Sequence, residues 1–303
     1  MHKSHDRPLY ALVLRAFAAV LVATMFMLGK VLGQRGVALP EVLFWSRFIT
    51  LPMLLGWLWW RRGIARLATK RVNSHFFRAV CGMASMGLNF AAASMLPLSE
   101  FTILNFTAPL FAVLITAFFL PEHVGPWRWA AVICGFVGVL IIARPAQAAI
   151  PLLGGAVGLL AALSIALISF QIRDLGKSEE PISAVFWYAL FGSVLMAAFL
   201  PFVATAHDAG TWALLILIGV VCAFSQWLLT ASLRYGTVAS VTIMDTTQLL
   251  WATIYGWLIW SQLPSPNLWL GAPLVIAAGV VIAWREHRAS TQVRRSALLE
   301  GTT

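Results

Sequence analysis

Long apolar runs separated by short polar or basic stretches make up nearly the whole chain. They fall at about 9–32, 41–60, 76–95, 99–120, 127–143, 152–172, 182–204, 212–233, 238–260 and 268–284. Each is close to the roughly 20 residues that a helix needs to cross the hydrocarbon core of a bilayer. Ten such runs account for 303 residues without a separate soluble domain. The expectation is an all-α integral membrane protein with ten transmembrane helices. The run from Leu96 to Leu120 organises the others, because it carries Glu100 at its start, Asn105 inside and Pro109 one turn later. Pro109 cannot donate a hydrogen bond to the carbonyl of Asn105, so a polar side chain and a freed carbonyl coincide near mid-depth. Lipid tolerates such groups only where they face protein or a wet cavity, which predicts a helix kinked at Pro109 that lines a central site.

Composition supports this reading and charge adds orientation. Hydrophobic residues make up 60% of the chain and charged residues 11%, against about 25% charged in a soluble domain. The net charge of +10 would raise nucleic acid in a soluble protein, but here the positions of the charges matter more than their sum. With the N-terminus inside, alternate loops and tails hold sixteen Lys and Arg on the inner side against two, Arg35 and Arg144, on the outer side. The positive-inside rule then places both termini in the cytoplasm, which requires an even number of spans. Nucleic acid is not an expected partner; the lipid bilayer is. Nine tryptophans near span ends, Trp57, Trp59 and Trp60 among them, fit interfacial belts. A cleaved signal peptide is the rival reading of the first run, but that run is too long and many spans follow it. Cys81, Cys134 and Cys222 all lie in apolar runs, so they read as packing residues and not as a disulfide framework. The six histidines show no metal-site spacing, and no metal or cofactor is expected.

The chain repeats itself. Gly138-Val-Leu-Ile-Ile-Ala-Arg144 closes the fifth run and Gly279-Val-Val-Ile-Ala-Trp-Arg285 closes the tenth. Leu32-Gly33, Pro40 and Phe44-Trp45 recur as Leu175-Gly176, Pro181 and Phe186-Trp187, and Ala93-Ser94 recurs as Ala231-Ser232. Several short matches in one order are the trace of a duplication. The organisation read from them is a tail at 1–8, a first five-helix repeat at 9–144, a linker at 145–151, a second repeat at 152–285 and a basic tail at 286–303. An odd number of crossings per repeat inverts the second copy in the membrane. Inverted repeats are typical of secondary transporters, whose site lies near the midplane between the halves.

Against this background the sequence resembles the EamA-type drug/metabolite transporters. The resemblance rests on the PLSE and FTAPLF segments of the fourth run, Glu122 after it, Gly135, Gly138 and Val139 in the fifth, and the stretch from Tyr235 to Ala252 entering the ninth. It covers about Leu9 to Trp284 and implies a ten-helix carrier of the bacterial inner membrane. Substrates across that superfamily range from amino acids and metallophores to riboflavin, nucleotides and S-adenosylmethionine. One departure stands out: Glu122 has no acidic counterpart after the ninth run, where Ser261-Gln262 stands. If that acid matters for gating in the family, the two gates here are not equivalent.

Charged residues inside spans need a reason, since each costs at least about 2.5 kcal/mol at the bilayer centre on insertion scales. Arg47 and Asp245 are the two deep ones. In the functional reading Arg47 meets a substrate carboxylate and Asp245 a substrate amine or a coupling proton. In the structural reading they pair with each other, or Arg47 pairs with Glu100 or Glu41. Ser85 and Asn89 share a helix face, as do Asp245 and Gln248; with Asn105, Gln226 and Trp251 they complete the candidate substrate site. Glu100 and Glu122 are candidates for a gate or for proton coupling. Mid-span aromatics, Trp45, Phe90, Phe106, Trp187, Trp227 and Trp251, either stack on a ligand or face lipid and core. Gly29-xxx-Gly33 and Gly154-xxx-Gly158 read as close internal helix contacts.

No ATP-binding loop, H-E-x-x-H or G-x-S-x-G motif is present, so the chain does not read as an enzyme and transport must draw on a gradient. The leading expectation is export of a small amino-acid-type metabolite by alternating access. The alternative is uptake of a flat aromatic vitamin or nucleotide-like compound of the riboflavin or S-adenosylmethionine class.

Overall fold

A computed structural model describes residues 8–60, 63–119, 125–143, 152–176, 178–235 and 244–300. Glu122 and the predicted linker at 145–151 lie outside the described residues. Among those described there are helices and turns and no strand. In chain order they are α1 (Pro8–Gln34), α2 (Leu39–Phe48), α3 (Thr50–Trp60), α4 (Val72–Met95), α5 (Leu98–Asn105), α6 (Ala108–Phe119), α7 (Pro126–Ala143), α8 (Leu152–Leu175), α9 (Pro181–Ala197), α10 (Leu200–Val203), α11 (Ala209–Tyr235), α12 (Thr247–Trp260) and α13 (Pro266–Glu300). Short 3-10 turns stand at Ile64–Leu67 and Met244–Thr246. Among the described residues, seven stretches are long and apolar enough to cross a membrane: α1, α2 with α3, α4, α5 with α6, α8, α11 and the first part of α13. The helices at the other three predicted positions, α7, α9 and α12, are shorter.

Proline sets the breaks. The fourth run is interrupted at Phe106 and Thr107, as expected from Pro109, and the backbone there tightens so that the Thr107 N–H reaches the Leu104 carbonyl at 3.0 Å. Pro109 itself sits in the first turn of α6, where a missing N–H costs nothing. Pro52 and Pro201 act alike: the chain breaks at Ile49 between α2 and α3, and at Ala198 and Phe199 between α9 and α10. Each break lies two to three residues before its proline, where the ring clashes with the preceding turn.

Helices approach most closely where a side chain is missing. A Cβ on Gly271 in α13 would lie 2.5 Å from the Gly138 carbonyl oxygen in α7, and one on Gly138 would lie 2.8 Å from the Gly271 carbonyl oxygen. The ring of Phe90 occupies the space beside Gly29, and Leu96 and Leu104 fill the spaces beside Gly154 and Gly158. The fully buried Leu32, Leu96, Leu98 and Phe101 seal the end of the bundle where α1 and α4 finish and α5 begins. Polar contacts reinforce that end. Lys30 Nζ donates to the Leu96 carbonyl, Trp260 Nε1 to Gln34 Oε1 at 2.8 Å, and His207 Nε2 lies 2.9 Å from Glu41 Oε1. Just before α11, the Thr211 hydroxyl and the N–H groups of Gly210 and Thr211 hold the Asp208 carboxyl below its ordinary pKa.

Candidate functional site

The remaining half of the bundle encloses a cavity of about 920 Å³. A second hollow, lined by Trp59, Trp60, Ile64 and Ala65, carries no charged side chain. The large cavity starts at the α5–α6 break, where Asn105, Phe106, Ala108 and Pro109 line it. It continues along α4 through Arg78, Gly82, Ser85 and Asn89, and towards the other end of the bundle through Arg15, Asp245 and Trp284. The broken helix therefore does what a polar residue followed by proline predicts.

A polar ladder runs along one wall. Asn105 Nδ2 donates to Asn89 Oδ1 at 2.8 Å, Asn89 Nδ2 donates to the Ser85 carbonyl at 2.9 Å, and the Ser85 and Ser164 hydroxyls share a hydrogen bond of 2.7 Å. Asn105 Oδ1 is buried and has no partner among the described residues.

The charges are arranged differently from the structural reading of the sequence. Asp245 pairs with Arg15 of α1 and not with Arg47: Nε and Nη2 of Arg15 each lie 2.6 Å from a carboxylate oxygen. Glu41 is engaged by His207, and Glu100 interacts electrostatically with Lys30 at the sealed end. None of the three acids considered as partners of Arg47 therefore holds it. Arg47 is 2% exposed, with its guanidinium carbon 4.9 Å from the Tyr188 ring centre and its Nε unpartnered among the described residues. Arg78 lies over the same ring at 4.8 Å and donates from Nη1 to the Ala184 carbonyl at 2.9 Å; its Nε is likewise buried and unpartnered. Gly82 makes room for Tyr188, since a Cβ there would lie 2.5 Å from the ring.

Of the candidate residues, Arg47, Asn89, Asn105, Gln226, Asp245 and Gln248 all face the cavity, with Pro109 at its head. Trp251 does not; it lies on α12 beside Tyr255. Among the mid-span aromatics only Phe106 lines the cavity. Trp227 is outward and half exposed, Trp45 packs on Trp212, and Trp187 donates to the Leu67 carbonyl. Glu100 is buried away from the cavity. Sequence reasoning missed Arg15, Arg78 and Tyr188. The signal for Arg78 was its spacing, since Arg78, Gly82, Ser85 and Asn89 follow each other at four, three and four residues along one face of α4.

Known proteins agree with this architecture. The chain is 30% identical to a riboflavin transporter of Brucella anthropi over 285 residues, covering 88% of this chain and 94% of that protein. It is 26% identical to a pseudopaline exporter of Pseudomonas aeruginosa at the same coverage. It is also 26% identical to an S-adenosylmethionine uptake transporter of Rickettsia bellii, over 82% of this chain and 84% of that one. A solved crystal structure superposes with a TM-score of 0.60 over 92% of this chain and 98% of its own, at 18% identity, and so shares the fold. The sequence model of the EamA-like transporter family matches twice, at residues 9–144 and 152–284. This chain belongs to the EamA-like transporter family, a multi-pass membrane protein that takes a small-molecule substrate.

Proposed function

We propose that the chain is a secondary carrier for a flat, drug-sized metabolite of the flavin class, working by alternating access. The observation that carries this is the cavity. At about 920 Å³ it falls within the roughly 300–1,000 Å³ of pockets that hold drug-sized ligands, far more room than an amino acid fills. The Arg15 pair adds a second reason. A zwitterion needs one free cation and one free anion, and Asp245 is already held at both oxygens by Arg15. The amino-acid reading thus loses its amine partner, and the flat-metabolite reading gains from the relatives named as riboflavin transporters.

The architecture proposed with it is ten spans in two inverted repeats of five. It is supported by helices at all ten predicted positions, by the two family matches, and by proline breaks at Pro52 and Pro201 in the second span of each half. Under the positive-inside orientation both termini are cytoplasmic. The sealed end then faces outward and the cavity opens inward, and the gradient that drives net movement sets its direction. The test is growth of a bacterial riboflavin auxotroph without its own flavin carrier. Expression of the chain should restore growth on low external riboflavin and speed uptake of labelled riboflavin. Unchanged growth and uptake, at verified expression, would sink the flavin-class reading. Labelled riboflavin leaving preloaded vesicles faster than from empty-vector vesicles would assign outward movement instead.

A further inference from the structure

The geometry points to an oxyanion site in the cavity wall, formed by Arg47 and Arg78 about the ring of Tyr188, that takes a carboxylate or phosphate carried by the substrate. This rests on the proposed carrier function and specifies which members of the substrate class it takes.

Charge is the first reason. Among the described cavity residues, three guanidiniums face one carboxylate, and that carboxylate is fully engaged by Arg15. Arg47 and Arg78 are thus left without an acidic partner among the described residues. Arg47 and Arg78 lie over the same ring and act on each other electrostatically. Two like charges around one ring repel each other, and inside a membrane such charges are held by a wet cavity, a counter-charge or backbone carbonyls; of these two only Arg78 has a carbonyl among the described residues.

Geometry is the second reason. Both guanidiniums lie over one ring, 4.9 and 4.8 Å from its centre, a contact that guanidinium favours. The ring accepts no conventional hydrogen bond from them, and both Nε groups are buried without an acceptor among the described residues. An oxyanion in the cavity would accept from the N–H groups of these guanidiniums, the charge-assisted contact that makes arginine suited to carboxylate and phosphate. Burial favours such binding, because desolvated charge attracts an anion more strongly than a surface arginine does. The site is also braced: Arg78 Nη1 is anchored on the Ala184 carbonyl, and Gly192 passes 3.4 Å from the Arg47 side chain at its missing Cβ.

The test compares neutral and anionic ligands that share a ring. Purified full-length protein is titrated with riboflavin and flavin mononucleotide, and separately with nicotinamide and nicotinate, following thermal unfolding and ligand fluorescence. The anionic member should bind at least tenfold more tightly in each pair that binds. Arg47→Gln and Arg78→Gln should each cut that preference to below threefold. If a Gln variant fails to fold, inorganic phosphate added to the unaltered protein supplies the readout, and should weaken the anionic ligand and spare the neutral one. Preference in the flavin pair identifies a phosphate, and preference in the nicotinate pair with neither flavin bound identifies a carboxylate. In that second case the oxyanion site stands and the flavin reading falls. Equal binding of neutral and anionic members, or no anion preference in either pair, overturns the site, and equal binding within the flavin pair leaves the flavin reading intact.

Discussion

The Arg15–Asp245 pair joins α1 to the turn that opens α12, and its removal has a calculable cost. Both carboxylate oxygens are 2.6 Å from the guanidinium, and the two side chains are 15% and 29% exposed. Charge-assisted hydrogen bonds are worth about 1.5–3 kcal/mol when desolvated; partial exposure moves this pair to the lower half of that range. Arg15→Gln and Asp245→Asn should therefore each destabilise by about 2 kcal/mol. The double variant should lose about 2 kcal/mol less than the two singles together, because no unpaired charge remains in it. A coupling of this size equals a change of about thirtyfold in an equilibrium. If the pair helps to set the balance between inward- and outward-open forms, transport in the singles should fall by about that factor and partly recover in the double. The measurements are reversible unfolding of the three variants in detergent and substrate flux in vesicles at matched protein. A coupling below about 0.5 kcal/mol would refute the reasoning, since this geometry would then be no stronger than an ordinary surface pair.

Three further outcomes follow from the packing and the polar ladder. Gly271→Ala should destabilise by about 3 kcal/mol in thermal unfolding, at the upper end for overpacking, because the new Cβ meets the Gly138 carbonyl at 2.5 Å and backbone cannot step aside. Asn89→Leu should cost about 2 kcal/mol by leaving Asn105 Nδ2 without its acceptor; Gln226→Leu, on the same cavity with no such partner lost, should cost less in the same assay. His207→Leu should cost about 3 kcal/mol and should loosen the sealed end, since the Glu41 carboxyl is buried, its Oε2 already lacks a partner, and Oε1 would lose its only one among the described residues; faster labelling of an engineered cysteine at that end would report the loosening.

The parts of this structure legible in the sequence are those that local rules decide. Run length and hydropathy place the helices, and proline interrupts the fourth span where a missing donor dictates. Arg47 and Asp245 were visible as costly groups by counting residues from the span ends. What counting cannot supply is rotation about the helix axis. Successive residues differ by about 100° around a helix, so Gln226 can face the cavity while its neighbour Trp227 faces outward. Trp251 lies off the cavity lining for the same reason. Partner choice is less legible still, because Asp245 could only be matched to Arg15, 230 residues away, once it was known that α1 packs beside the start of α12.

Arg78 shows how the orientation count can hide a cavity residue. Its place near the start of a span made it one more inner-side charge in the orientation count, and the count is satisfied whether or not it reaches water. In the structure it reaches inward, where its contacts are a ring and one carbonyl. Ring contacts of this kind contribute about 0.5–2 kcal/mol, less than the cost of a guanidinium at membrane depth. Arg47 has the same ring, and its Nε has no acceptor among the described residues. Neither side chain is therefore there because it stabilises the empty fold; an apolar residue of similar volume would serve that purpose better. With the proposed oxyanion site, the stability forgone at these two positions is matched by water in the open cavity and by the substrate's anion, and only the second of these changes as the carrier turns over.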